Sequence, residues 1–273
     1  MSDSQFIQNP MTEKWVISCP NRSKRPDVAK GVEPVCPFCY GHENMTPPEV
    51  LRYGQGKPSE TGWKVRVVGN KYPITTIHEI IIGSPDHNKN IMDFSQEQVE
   101  LIIRAYKERF LALKDKGQVL IFHNHGREGA ESLPHPHTQL AVIPNDMRIS
   151  ASRLGEPTNI AFESERFIVF CPDTVEWPHE TWIAPKRRGF QFGEIDEKEI
   201  HDFSYIMPEV LRLQGKINYG KFDFNFYIYP GGDWYWRLVP RIIQRGGFEI
   251  ASGIMVNIVD PKETVKLLRT VKQ

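Results

Sequence analysis

Two hydrophobic periods run through this chain, and the places where one gives way to the other mark its elements. From Trp63 the pattern turns regular. Val65-Arg66-Val67-Val68 reads as a strand, Asn70-Lys71-Tyr72-Pro73 as a turn, and His78-Glu79-Ile80-Ile81-Ile82 as a second strand closed by Gly83-Ser84-Pro85-Asp86-His87. Ser95 stands where an N-cap belongs. Val99, Ile102, Ile103, Tyr106, Phe110 and Leu113 then recur on the period of a helix that continues to about Lys114. That apolar face predicts core, not a groove for a partner. Val119 to Phe122 and Leu140 to Ile143 have the length and β-branched content of buried strands. Near the start of the chain, Trp15-Val16-Ile17-Ser18 reads as extended.

The second half repeats this order. Glu163 to Phe170 carries a strand, F-I-V-F, and His179-Glu180-Thr181-Trp182-Ile183-Ala184-Pro185 mirrors the stretch from His78 to Pro85. Ile195-Asp196-Glu197-Lys198-Glu199 begins a helix as Phe94-Ser95-Gln96-Glu97 does. Asn225 to Pro230 is a strand leading into a Gly-Gly loop, and Trp236 to Pro240 mirrors Thr138 to Pro144. Two copies of a strand–strand–helix–strand–strand unit imply an internal duplication, with domains at residues 1–150 and 151–273. Where the first copy has the histidine pair His135 and His137, the second reads Trp234-Tyr235-Trp236. One site plus a structural or binding half is therefore expected.

Composition narrows the class. The 273 residues are 40% hydrophobic and 25% charged, enough for one large or two smaller cores. With 34 basic and 34 acidic residues, no bulk field favours nucleic acid or an anionic membrane, so neither is an expected partner. No apolar run approaches the roughly 18 residues of a spanning helix, and Met-Ser-Asp-Ser-Gln does not read as a signal peptide. The four cysteines, Cys19, Cys36, Cys39 and Cys171, make a poor disulfide framework, so a cytoplasmic protein is expected.

The candidate chemistry concentrates between Val119 and Pro144, which holds four of the nine histidines. His135 and His137 lie two residues apart, so an extended backbone would set both rings on one face. Pro136 cannot donate to a ladder, which places the pair at a strand edge or just outside it. Cys36-Pro37-Phe38-Cys39-Tyr40-Gly41 lets two thiolates turn onto one ion. A redox pair or two inert thiols is the alternative; Pro47-Pro48 argues against the long helix that a redox C-x-x-C opens. Spacing leaves the partner ligands open among His78, His87, His123, His125, His135 and His137. The basic run N-R-S-K-R-P-D from Asn21 to Asp27 is a solvated turn or an anion clamp for phosphate.

Taken in order, Asn124-x-Gly126 and Ser132-x-Pro134-His135-Pro136-His137-x-Gln139 resemble the active-site signature of galactose-1-phosphate uridylyltransferases, the nucleotidyltransferase branch of the histidine-triad superfamily. N-P-M-T-E-K-W-V-I from Asn9, P-N-R-S-K-R-P from Pro20, C-P-F-C from Cys36, N-K-Y-P from Asn70, H-E-I-I-I from His78 and S-P-D-H from Ser84 fall in the family's order. V-P-R-I-I-Q-R-G-G-F-E-I-A-S-G, from Val239, is similar to archaeal-type and ADP-sugar phosphorylase-like members. The resemblance spans nearly the whole chain.

The resemblance implies an α+β fold of two fused histidine-triad-like domains, each an antiparallel sheet with a helix on one face. The first domain would be catalytic and hold the metal; the second, degenerate, would complete the substrate site. It also implies roles. His137 matches the nucleophile that carries a nucleotidyl group, Gln139 the amide that bonds the phosphoryl group, and Cys36, Cys39, His87 and His135 a structural zinc site. Arg22, Arg25, Asn124, Gly126 and Ser132 match positions lining the phosphates, and Asn70 the ribose or base pocket. The activity implied is a UDP-glucose–hexose-1-phosphate uridylyltransferase type of nucleotidyl transfer, by a ping-pong route, in a homodimer. The alternatives are a phosphorylase of a nucleotide sugar or dinucleoside polyphosphate, and a nucleotide-binding protein without catalysis. Residue chemistry suits the transfer: a neutral imidazole attacks phosphorus, and loop N–H groups with Ser132 and Gln139 donate to the charge that develops.

Departures from the family pattern carry their own expectations. Glu131 brings an anion near the expected phosphates, and its side chain is expected to point to solvent. Trp234-Tyr235-Trp236 cannot ligate a second metal, and Ser252-Gly253 stands where a hexose-holding Tyr-Glu pair is usual. His123 and His125 read as loop or strand-face residues, and His78 and His179 as satisfied structural histidines beside Glu79 and Glu180. The Trp residues with Tyr227 and Tyr229 read as core or interface anchors.

Overall fold

The computed structural model describes residues 4–25, 35–220 and 222–273. Pro26 and Asp27 of the basic run, and Met1, Ser2 and Asp3 of the N-terminal segment, lie outside the described residues. Strands β1 (Gln5–Gln8) and β2 (Trp15–Ser18) form a small antiparallel hairpin of their own. The larger sheet takes β3 (Glu49–Gly54), β4 (Trp63–Gly69), β5 (His78–Ile82), β6 (Gln118–His125) and β7 (His137–Ile143) from the first half. From the second half it takes β8 (Ile160–Glu163), β9 (Phe167–Phe170), β10 (Thr181–Pro185), β11 (Phe224–Ile228) and β12 (Trp236–Pro240). These ten strands pair antiparallel in the order β3-β4-β5-β7-β6-β11-β12-β10-β9-β8. The helices are α1 (Gln96–Leu113), α2 (Glu197–Ile217), the short α3 (Gly247–Ser252) and α4 (Pro261–Lys272).

The protein is thus α+β, with a single large sheet. The two halves join edge to edge through β6 and β11, where Asn124 pairs with Asn225 and Phe122 with Tyr227. Each half gives the sheet three strands before its long helix and two after, in mirrored order about that seam, one strand more per half than the strand–strand–helix–strand–strand unit read from sequence.

Both long helices cover the same face. Ser95 caps α1 by accepting from the Gln98 N–H at 3.3 Å. Asp196 and Glu199 close a reciprocal capping box at the start of α2, at 2.8 and 2.9 Å. Period-2 alternation turns Val65, Val67, Ile81, Ile121, Leu140 and Val142 toward α1, and Phe224, Phe226, Ile228 and Leu238 toward α2. With Ile102, Ile103, Phe110, Phe203 and Met207 they form one continuous core across the seam. The opposite face bears His78, Ile80, Ile82, His137, Gln139 and Phe122, aligned by the pairing of β5 and β6 with β7. Loops, not helices, cover that face, and this leaves room for a ligand.

Candidate active site

His137 is the first residue of β7, and Pro136 ahead of it has no N–H for a ladder, so the strand begins there. Thr138 turns the other way, into the core. Its Oγ1 lies 2.6 Å from Tyr106 Oη of α1 and 3.1 Å from His123 Nδ1, which pins the strand from behind. His123, fully buried, stacks on Phe226 at 4.8 Å. The His137 ring is buried against Phe38, centroid to centroid 5.2 Å. Its Nδ1 lies 2.9 Å from the His135 carbonyl oxygen. A carbonyl only accepts, so Nδ1 carries the proton and Nε2 holds the lone pair. Burial pushes the ring's pKa below the ordinary value; the His135 bond opposes this, and the nearby Arg25 guanidinium adds to it.

Gln139, on the same face, pairs across the sheet with Ile80 and Phe122. Its Oε1 lies 3.1 Å from His78 Nε2. The backbone N–H of Ile74 donates to His78 Nδ1 at 3.0 Å, and Asn70 Nδ2 lies 3.3 Å from Nε2. Burial, with a smaller contribution from Arg22, pulls His78 down to about 3. The structural reading of His78 therefore needs correction in one respect: its partners are Gln139 and the turn holding Asn70, not Glu79. Glu79 faces the helices and pairs with Arg109 at 2.7 Å.

A cavity of ≈240 Å³ opens beside His137 and Gln139 and brings in Ser132, Asn70 and Arg25. Phe38, Met45, Pro47, Val68 and Ile80 form its apolar wall. A second cleft of ≈480 Å³ shares Asn70, Lys71 and Tyr72 and adds Arg22 and Lys24. The Arg22 guanidinium donates to the Tyr72 carbonyl, which ties the basic segment to the Asn70 turn. Asn124 and Gly126 line neither space. Asn124 Oδ1 accepts from Asn225 Nδ2 at 2.9 Å across the seam. Gly126 has φ +75°, and a Cβ there would lie 2.0 Å from Asp223 Oδ1, so its place in the loop requires glycine.

Glu131 departs from expectation. It folds inward: its Oε2 accepts from the Gly126 N–H at 2.9 Å, and its own N–H donates to the Gly126 carbonyl at 3.0 Å. Its side chain is only 9% exposed. The reason is local geometry: the left-handed turn at Gly126 points an N–H into the loop, and Glu131 is the acceptor in reach. Burial raises its carboxyl to about 7, against the lowering effect of the Gly126 bond.

Cys36, Cys39, His87 and His135 place their ligand atoms within 4.8 Å of one another. Around a tetrahedral ion with sulfur at about 2.3 Å and nitrogen at about 2.0 Å, S and N stand about 3.5 Å apart. Cys39 Sγ lies 3.3 Å from His87 Nδ1 and 3.6 Å from His135 Nδ1, so the set fits such an ion. His135 Nε2 donates to the Ser84 carbonyl at 2.8 Å, which leaves Nδ1 as the ligating atom. Burial pushes the Cys36 thiol up to about 12. No long helix follows the cysteines; a 3-10 turn, Glu43–Met45, does, which removes the redox alternative's structural basis.

In the second half, Trp234 and Trp236 sink into the core, and Tyr235 takes the loop-covered face, stacked on Trp182 at 4.1 Å. Arg237 follows on that face and pairs with Glu180. Tyr235 and Arg237 thus hold the alternating places that His137 and Gln139 hold in β7, one residue off the register expected from Trp234-Tyr235-Trp236.

Residues 73–142 match the family described as galactose-1-phosphate uridyl transferase, N-terminal domain. The match begins at Pro73, the last residue of the Asn70 turn, and runs through β5, α1, β6 and the His loop into β7. Over that stretch the chain is similar to the galactose-1-phosphate uridylyltransferases. It is 27% identical to the ADP-glucose phosphorylase of Arabidopsis thaliana, over 98% of this chain and 93% of that one. With the galactose-1-phosphate uridylyltransferase of Thermotoga maritima the identity is 26%, over 77% and 75%. The crystal structure of the Arabidopsis thaliana ADP-glucose phosphorylase with bound ADP-glucose superposes with a TM-score of 0.76 at 24% identity, covering 98% of this chain and 99% of that one. That superposition shows the shared fold. Beside His137 and Gln139 the structure adds His78 and Phe38 to the residues read from sequence. Only the β5–β7 register carries the signal for His78; spacing along the chain does not.

Proposed function

We propose that this chain is a nucleotidyltransferase that moves a nucleoside monophosphate between a nucleotide sugar and a hexose 1-phosphate through a nucleotidyl-histidine at His137. The observation that carries the reading is the His137 ring. Its Nδ1–H is tied to the His135 carbonyl at 2.9 Å, leaving the Nε2 lone pair in a ring that burial keeps neutral. Nε2 attacks the α-phosphorus; the P–N bond forms as the P–O bond to the departing sugar phosphate breaks, and the electron pair leaves on that oxygen. A phosphate oxygen of the acceptor then attacks the same phosphorus, the P–N bond breaks, and Nε2 regains its lone pair. Nδ1 keeps its proton throughout, and the His135 carbonyl offsets the charge that builds on the ring. Gln139 and Ser132 donate to the phosphoryl oxygens, Arg25 and Arg22 offset their charge, and Asn70 with the apolar wall holds the nucleoside. Asn124 and Gly126 shape the loop that delivers Ser132.

Zinc suits the Cys36, Cys39, His87 and His135 set: two sulfurs and two nitrogens in tetrahedral reach fill its coordination and leave it a structural role. Bound there, the ion would supply rigidity to His135, two residues before the nucleophile. We assign residues 1–150 to the catalytic unit and 151–273 to the unit that completes the substrate site. A homodimer is supported by the exposed apolar side chains Phe248, Ile250, Ile254, Val256 and Ile258, which this chain alone leaves uncovered. No helix among the described residues is long and apolar enough to cross a membrane. A cytoplasmic setting suits thiolate ligands.

A second reading is favoured by one observation: the relative aligned over 98% of this chain is an ADP-glucose phosphorylase. A phosphorylase would use the same first half-reaction and inorganic phosphate as acceptor. The deciding experiment is intact-mass analysis of the protein and of His137→Gly after brief incubation with UDP-glucose or ADP-glucose. One UMP or AMP per chain, absent in the variant, is the expected result and names the base. Acceptor screening with hexose 1-phosphate and inorganic phosphate then separates the two readings. No adduct with either donor would overturn both.

A further inference from the structure

We infer that His78 is a positioning residue that holds the Gln139 carboxamide with its NH2 turned toward the phosphoryl site. The inference rests on the function proposed above and adds a residue to it.

The protons in this network can be assigned from donors that have no choice. The Ile74 backbone N–H can only donate, and it does so to His78 Nδ1 at 3.0 Å, so the ring proton lies on Nε2. Nε2–H in turn meets Gln139 Oε1 at 3.1 Å. A carboxamide's two ends are nearly the same shape, so sterics alone would not choose between them. His78 does choose: a flipped Gln139 would set NH2 against N–H, two donors in a buried place, at the cost of an unpaired polar group. The NH2 of Gln139 is thereby turned away from His78, as a donor for a phosphoryl oxygen.

The same proton acts on Asn70. Its Oδ1 accepts from the Tyr72 N–H at 2.8 Å, and its Nδ2, 3.3 Å from the protonated Nε2, has no acceptor there. That NH2 is also left for a ligand in the cavity. His78 is held by its surroundings: it is 4% exposed, Phe122 stacks on it at 6.2 Å, and β5 pairs it with Ala141, one step along the face from Gln139.

The test combines kinetics with spectroscopy. Adduct formation on His137 is timed in single turnover for the wild type, His78→Phe, Gln139→Ala and the double variant, with melting temperature recorded for each. His78→Phe should slow the step at least about 10-fold with little change in donor affinity, as loss of a preorganised donor does. The double variant should be no slower than Gln139→Ala alone. Effects that multiply in the double variant would show that His78 supports the fold without acting through Gln139. His78→Gln, which keeps a donor, should recover part of the rate. Independently of turnover, 15N NMR of histidine-labelled protein should show His78 as the Nε2–H tautomer; an Nδ1–H tautomer overturns the inference even if every variant folds poorly. If the wild type forms no adduct, the transferase reading fails, and the tautomer alone decides for or against His78.

Discussion

Glu131→Gln is the substitution whose outcome the structure fixes most fully. The wild-type carboxyl is held near pH 7, against an ordinary value of 4.5, chiefly because burial disfavours its ionised form. Asp223, whose carboxylate accepts from the Glu128 N–H at 2.7 Å, adds repulsion, while the Gly126 N–H works in the opposite direction. The facing base offers no cation: burial lowers the pKa of His125, and its Nδ1, 3.8 Å from Glu131 Oε2, makes no hydrogen bond. An acid whose folded value is raised contributes stability that is complete below its unfolded value and is lost as pH rises through the folded value. A gap of about 2.5 units at 1.36 kcal/mol each is worth about 3 kcal/mol. Glutamine keeps an acceptor for the Gly126 N–H and carries no charge, so the variant should escape this loss. Urea unfolding at pH 5 and pH 8 measures most of it: pH 5 already lies above the unfolded value, so between the two the wild type should lose about 2.5 kcal/mol more than Glu131→Gln. Equal pH dependence in both proteins would refute the assignment of a buried, uncompensated carboxyl.

Three further outcomes follow from other contacts. Glu180 lies 2.6 and 2.8 Å from the Arg237 guanidinium with its side chain wholly buried, so Glu180→Ala should strand a buried cation and cost about 3–5 kcal/mol by chemical denaturation. Cys39→Ser removes a sulfur that lies 3.3 and 3.6 Å from the two imidazoles; on the zinc assignment proposed above, the metal content by elemental analysis should be one ion per chain in the wild type and near none in the variant, and melting temperature should fall with it. Unchanged metal content would show that the four side chains are not the ligands. Gly126→Ala meets a positive φ and the Asp223 carboxylate, so a loss of about 2 kcal/mol or more is expected in calorimetry, with slower adduct formation because the loop bearing Ser132 shifts.

Much of this molecule was written locally. The apolar period from Val99 to Leu113 and the Ser95 cap place α1 within a residue of its observed ends, and short apolar runs rich in β-branched residues find β4, β5, β6, β7 and β12. These features are readable because caps and periods depend on neighbours a few residues away. The edge strands β3 and β8 were not readable: each carries a register irregularity that breaks the alternation, and each is half exposed. The helices α3 and α4 also went unread. The metal set was named by resemblance, whereas its fit to one ion depends on β5 and β7 bringing His87 and His135 to the Cys36 turn.

Which groups face each other was decided by tertiary structure alone. His78 and Gln139 are 61 positions apart, and nothing near either one requires them to meet. Glu131 was expected in solvent and is buried, because a turn folds its carboxylate onto Gly126. Tyr235, not a tryptophan, takes the open-face place just ahead of β12 because strand register, a non-local choice, sets the parity of every side chain along it. A sequence specifies the period of a strand by itself; the face that period presents is specified only when another strand pairs with it.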